Sequence, residues 1–206
     1  MSYRSKIYFS PLFYIIHYLC IIRKWMGASG MVYGYYDKVS HKFLKRCRIA
    51  STAIITDRQN LQMEDNVWIN HYARIDAAGK VTIGEGCQIG YGACVLSHST
   101  HNSIRLMGFH FMEYNAEKRA GYIAKHTKIG RYTFIGGGSF VMPGVTIGKG
   151  CVIGVNSVVT HDVPDYAIAI GSPAKIIGST KDFDKNHMKN PLAEQCYFEK
   201  NISSTI

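Results

Sequence analysis

A chain of 206 residues suits one domain with appendages and is long enough to bury a real core. Hydrophobic residues make up 47% and charged residues 18%, which excludes a disordered chain. The formal charge of +10 calls for an anionic partner: a phosphorylated cofactor, an acidic glycan, nucleic acid or a membrane surface. The six cysteines (Cys20, Cys47, Cys87, Cys94, Cys151, Cys196) show no CxxC and no tight spacing, which argues against a disulfide framework and a zinc knuckle and suits a reducing cytoplasm.

Taken in chain order, Ile7 to Ile22 is an apolar, aromatic-rich run interrupted by Ser10, Pro11 and His17 and flanked by Arg4, Lys6, Arg23 and Lys24. It is short for a membrane span and lacks a small-residue cleavage site. Two readings stand: a helix packed on the main domain or on a neighbouring subunit, and a peripheral membrane anchor with its basic flanks at lipid headgroups.

From Met63 the aliphatic residues recur every six positions. Met63, Ile69, Ile75 form one ladder and Ile83, Ile89, Val95 a second; Ile129, Ile135, Val141, Ile147, Ile153, Val159 form the longest. A helix repeats near 3.6 residues and a strand near 2, so neither demands a period of six. Glycine often follows the aliphatic (Gly84, Gly90, Gly130, Gly136, Gly148, Gly154). A small or modest residue recurs four places after it (Cys87, Ala93, Thr133, Ser139, Val145, Cys151, Ser157). A triangular coil explains both: each hexapeptide is one flat strand and one corner, three make a turn, and the aliphatic points into a narrow interior. The predicted fold is all-β, a left-handed parallel β-helix over 56–178, preceded by an N-terminal helical segment (1–55) and followed by a short polar tail (179–206). Two extra residues separate Ile75 from Ile83. A long interruption, 97–128, rich in aromatics, His and Met, is read as an extruded loop of the kind that lines a binding face.

The ladder, the loop segment Ser97-His98-Ser99-Thr100-His101-Asn102, the run IGRYTFIGGGSFVMPGVTIGKGCVIGVNSVVTHDVP and the ending AIGSPAKIIG resemble the hexapeptide-repeat O-acetyltransferases. The most similar types are galactoside, maltose and nodulation-factor acetyltransferases and the polysaccharide O-acetyltransferases of capsule and O-antigen clusters. The resemblance covers roughly residues 60 to 178, most specifically the C-terminal half.

The resemblance implies a cytoplasmic homotrimer with sites between subunits, acetyl-CoA as acyl donor, a saccharide acceptor and a loop histidine as general base. His101 matches the histidine of the maltose enzymes' Ala-Thr-His-Pro, and His98 is the alternative; His110 and His126 read as ordinary loop or coil residues. Gly137 falls where a backbone N–H meets the thioester oxygen. Phe134 stands where tryptophan is frequent, beside cofactor or acceptor or on the coil surface. Val155 matches an alanine whose backbone meets the pantetheine arm, Thr160 a threonine after it, and Lys175 a basic residue near the CoA phosphates; His161 replaces the lysine of the pattern. Asn70 matches a sugar-contacting asparagine. Ala78 occupies the position of the sugar-binding aspartate, so a neutral galactoside is disfavoured, and Arg74 with the basic surplus points toward an acidic glycan.

Rival readings are N-acylation of an amino sugar and inactivation of an antibiotic by acetylation. A zinc carbonic anhydrase on the same coil lacks its histidine spacing, since Arg131 follows His126 by five residues. No metal site is expected, a non-catalytic scaffold is the remaining option, and no motif supports nucleic-acid binding.

Overall fold

The structure, a computed structural model, describes residues 12–25 and 29–199. Three parallel sheets form the faces of a prism. Ile135 pairs with Ile153 on the first face, Val141 with Val159 on the second and Ile129 with Ile147 on the third, each pair eighteen positions apart. One turn is therefore three hexapeptides, and the fold is the left-handed parallel β-helix expected. The aliphatic ladder is sealed: Ile69, Ile75, Ile83, Ile89, Ile135 and Ile153 have no exposed surface. The small residues turn the corners. Thr133 and Ser139 are buried, and their hydroxyls donate to the carbonyls of Gly148 and Gly154 at 2.7 Å, satisfying groups that the bend would otherwise orphan.

The ladder starts one turn earlier than Met63. Ile49 pairs in parallel with Ile69, and Ile55 with Ile75. Residues 29–55, grouped by sequence with an N-terminal helical segment, are thus mostly strand. An antiparallel hairpin of β1 (Met31–Asp37) and β2 (Lys42–Ala50) hands the chain to the coil, and among the described residues ahead of it the helix is α1 (Leu12–Trp25). Buried Asp37 ties the hairpin turn to the coil: its carboxylate accepts from the Ser40 amide at 2.8 Å and the Met63 amide at 3.3 Å. The ladder signal was masked because Ile55 to Met63 spans eight residues, the same two-residue excess as Ile75 to Ile83.

Both excesses, and the long loop, leave from one corner, between the second and third faces. Ile83 pairs with Ile129, 46 positions on rather than eighteen, so the loop adds 28 residues without disturbing the register on either side. At the far end Ala167–Ile170 continues the first face beside Val152–Ile153. Lys175–Ser179 folds back antiparallel, and helices Thr180–His187 and Pro191–Cys196 follow. Phe198 of the tail lies 4.7 Å from the Tyr132 ring and 6.3 Å from that of Tyr166, covering the corner between the third and first faces.

Burial pushes the thiols of Cys47 and Cys87 up to about 12, so they behave as neutral packing groups. Because the interior is a single narrow column, truncating one rung should be costly. Ile135→Ala is expected to lower the unfolding free energy by about 2–5 kcal/mol in urea melts. Val155→Ala, at a position 70% exposed, should change it by less than about 0.5 kcal/mol. Equal effects of the two would contradict the assigned facing.

Candidate active site

Apart from Phe134 and Arg74, which lie on faces, the sequence-singled residues fall on two corners of the prism, on opposite edges of its second face. The corner between the first and second faces carries Asn70, Tyr91, Gly137 and Val155 in successive coils. The Asn156 amide donates to the Gly137 carbonyl at 2.9 Å, so Val155 lies one coil below Gly137. Close backbone approach explains the glycines here: a Cβ on Gly90 would sit 2.6 Å from the Gly137 nitrogen. Gly138 and Gly144 take φ of +68° and +86° at equivalent places six residues apart, so Gly137 occupies the turn position that Pro143 fills at the next corner.

Lys175 is exposed and pairs with Ile170 just before Gly171, whose carbonyl accepts from the Val158 amide. Gly137, Val155 and Lys175 therefore run down one edge of the coil. Phe134 is 39% exposed on the first face, in register between Gln88 and Val152 and three residues ahead of Gly137. Asn70 is buried, and its amide donates to the Ile89 carbonyl at 3.1 Å; its side chain is engaged in turning the corner. Arg74 lies exposed on the second face beside Cys94.

The loop leaves from the corner between the second and third faces, which also holds exposed Thr160, whose hydroxyl is 2.9 Å from His161 Nδ1. Its root is bolted down. The Ser97 hydroxyl donates to the Asp76 carbonyl at 2.7 Å and accepts from the Gly79 amide at 2.8 Å, and the Lys125 amide donates to the Ser97 carbonyl. His98–Ser99 and Ile123–Ala124 form a two-stranded ribbon, after which α2 (His101–Met107) begins.

The two candidate histidines have different surroundings. His98 Nδ1 lies 2.8 Å from Asp76 Oδ1, a carboxylate with only 5% of its side chain exposed. The Tyr122 ring sits 5.9 Å from the His98 imidazole. Such a carboxylate fixes the ring's orientation and tautomer and leaves Nε2 as the reactive nitrogen. His101, the first residue of α2, is exposed and lies 2.7 Å through Nδ1 from the Ser99 hydroxyl, an arrangement that also turns Nε2 outward. His110 is exposed beside Glu113. His126 bonds the Thr82 hydroxyl at 2.8 Å, and burial followed by the charges of Lys128 and Lys80 lowers its basicity.

Asp76 and Tyr122 were not singled out from the sequence. The available signal for Asp76 was an acidic residue directly after a ladder aliphatic at the widened corner. His71 and Tyr91, stacked at 5.9 Å on the glycine corner, had none.

The model of the bacterial transferase hexapeptide, six repeats, matches residues 126–161. The chain carries the bacterial transferase hexapeptide repeat. Among solved structures, a galactoside acetyltransferase in complex with coenzyme A is 28% identical with a TM-score of 0.54, over 65% of this chain and 62% of that one. A maltose O-acetyltransferase from Clostridium difficile 630 is 26% identical at 0.51, over 62% and 63%. A hexapeptide-repeat-containing acetyltransferase from Vibrio cholerae O1 biovar eltor, complexed with acetyl coenzyme A, is 27% identical at 0.51, over 62% and 64%. The chain thus spans less than two thirds of the length of these structures. No curated protein matches.

The bolted loop root makes a prediction independent of activity. Asp76→Ala removes the acceptor of His98 and of the Ala78 amide. Native-state trypsin cleavage within the loop, at Arg105, Lys118 or Arg119, should accelerate at least about tenfold, the factor set by losing a hydrogen bond to a charged group. An unchanged cleavage rate would show that this contact does not hold the loop.

Proposed function

We propose that this protein is an acetyl-CoA-dependent acyltransferase that O-acetylates a saccharide hydroxyl, working as a homotrimer with its sites between subunits. The observation that carries the reading is the split of the candidate residues over two corners: loop histidines on one, Gly137 and Val155 on the other, with a whole face between them. A neighbouring copy would bring the two kinds of corner together. The loop also exposes Ile104, Leu106, Phe109 and Met112 by 57% to 90%, apolar surface that a neighbouring subunit would cover. The likeness to a galactoside acetyltransferase solved with coenzyme A and to a hexapeptide-repeat-containing acetyltransferase solved with acetyl coenzyme A supports the donor.

In this reading His101 Nε2 takes the proton of the acceptor hydroxyl as its oxygen attacks the thioester carbonyl carbon. The Gly137 N–H donates to the oxyanion that forms. The intermediate collapses with cleavage of the C–S bond, and the imidazolium returns the proton to the departing CoA sulfur, leaving an ester and free CoA. Ser99 orients His101, while Asp76 and His98 hold the loop root. The pantetheine arm would pass Val155, with Phe134 and Thr160 flanking the donor and Lys175 meeting its phosphates; Arg74 faces an acceptor, best an acidic glycan. A second reading has one observation in its favour: the buried carboxylate behind His98 is the better support for a base, which would make His98 the proton acceptor.

The two readings separate kinetically. With acetyl-CoA and a panel of neutral, aminated and acidic oligosaccharides, His101→Ala should lower kcat by about 10²- to 10⁴-fold with little change in KM for acetyl-CoA. His98→Ala should retain measurable turnover. The reverse ranking assigns the base to His98, and full activity in both variants removes the loop histidines from the chemistry. Turnover only with amino sugars would make the reaction an N-acylation.

A further inference from the structure

Among the described residues, one stripe of α1 packs against the protein and its outward positions are exposed. Phe13 is 1% exposed and meets the Phe43 ring of the hairpin at 6.2 Å, and His17 stands edge-on to the same ring at 5.0 Å. The outward positions are apolar: Ile15, Tyr18, Leu19 and Ile22 are 52% to 64% exposed, and Trp25 is 93% exposed. No charged residue falls between Leu12 and Ile22. That is a contiguous greasy face, of a kind that proteins rarely leave to water.

Charge tells what covers it. The first 36 residues contain no Asp or Glu. Residues 1–48 hold nine Lys and Arg against a single acid, Asp37, for a net +8, whereas the other 158 residues hold fifteen against thirteen, a net +2. The one acid is buried. Exposed Arg23, Lys38, Lys42 and Lys45 stand on α1 and the adjoining hairpin, and Lys45 Nζ lies 5.4 Å from the Tyr14 ring. A second copy is a poor occupant, because a symmetric contact through this face would bring one cationic surface against another. A bilayer with anionic headgroups complements both features at once: acyl chains for the aliphatic stripe, the interfacial zone for Tyr18 and Trp25, phosphates for the lysines and arginines. At 14 residues α1 spans about 21 Å, short of the hydrocarbon core, and no helix among the described residues is long and apolar enough to cross a membrane.

We propose that α1 and the cationic hairpin form an in-plane docking surface for an anionic lipid bilayer. This goes beyond acyl transfer and does not depend on it. The test is co-sedimentation of the full-length protein with vesicles of phosphatidylcholine alone or mixed with phosphatidylglycerol. The expected result is binding to the mixed vesicles, weaker binding to the neutral ones, a decline as salt is raised, and a blue shift of Trp25 emission on binding. The double substitution Ile15→Asp and Leu19→Asp should reduce partitioning at least about tenfold, since each charge is costly below the headgroups. Both positions are exposed, so its melting temperature and size by gel filtration should match the wild type; a variant that fails this check is replaced by Lys42→Glu with Lys45→Glu, read by the loss of preference for phosphatidylglycerol. Wild-type protein that stays in the supernatant with both vesicles overturns the proposal, as does undiminished binding by the variants. If the wild type ignores vesicles and the double variant loses its oligomeric state, the face belongs to contact between copies.

Discussion

Everything in this molecule hangs on the in-register stacking of one aliphatic per hexapeptide. The hydrogen bonds between coils hold only if Ile135 sits over Ile153 and Val141 over Val159, and the interior column is too narrow for any other arrangement. A residue added within a face would throw every later rung out of register. Added at a corner, it leaves the faces intact. The coil therefore tolerates variation only at its edges, and its edges are where its chemistry-bearing side chains collect.

The three corners have diverged accordingly. The corner between the third and first faces is structural: Arg46 bridges Asp65 at 2.9 Å, Arg131 bridges Glu64 at 2.7 Å, and the aromatic tail covers part of it. The Glu64 carboxyl is held below its ordinary range chiefly by the hydrogen bond from Arg131, so this pair adds stability above that range and loses it on acidification; both side chains are well exposed, which keeps the effect small. The corner between the first and second faces has glycine at Gly90, Gly136 and Gly137 beside Tyr91 and Val155, and at Gly90 and Gly136 the backbones of successive coils approach closely. The remaining corner is progressively widened, by two residues, two residues and then a 28-residue loop, and it carries both candidate bases. One rigid prism thus presents backbone donors on one edge and imidazoles on another, with the second face between them.

Much of this was legible in the sequence, for a definite reason. The ladder from Ile129 to Val159 runs without a break, so its period announces the fold and the place of Gly137 and Val155 on it. The first coil was hidden because Ile49 and Ile55 are followed by a widened corner and preceded by an antiparallel hairpin with ordinary strand alternation. The terminal strands Ala167–Ile170 and Lys175–Ser179 fall out of the six-residue register, Ala169 pairing with Ile153 sixteen rather than eighteen positions on, and were read only as the coil's end. The Asp76–His98 contact joins residues 22 positions apart across adjacent coils, and no local pattern encodes it. Asn70 matched a sugar contact by position, yet burial and its bond to the Ile89 carbonyl are properties of the folded corner alone.

The central claim is that one active site needs two chains. Two variants test it: His101→Ala, which removes the proposed base, and Gly137→Pro, which removes the proposed oxyanion donor at a turn position where Pro143 already serves one corner later. Each alone should be nearly inactive. Mixed one to one under conditions that allow subunit exchange, they should regain about a quarter of wild-type acetyl transfer, because random assembly sets an intact His101 against an intact Gly137 at one interface in four. A mixture no more active than its parents, with exchange verified by differential tagging, would contradict the split site.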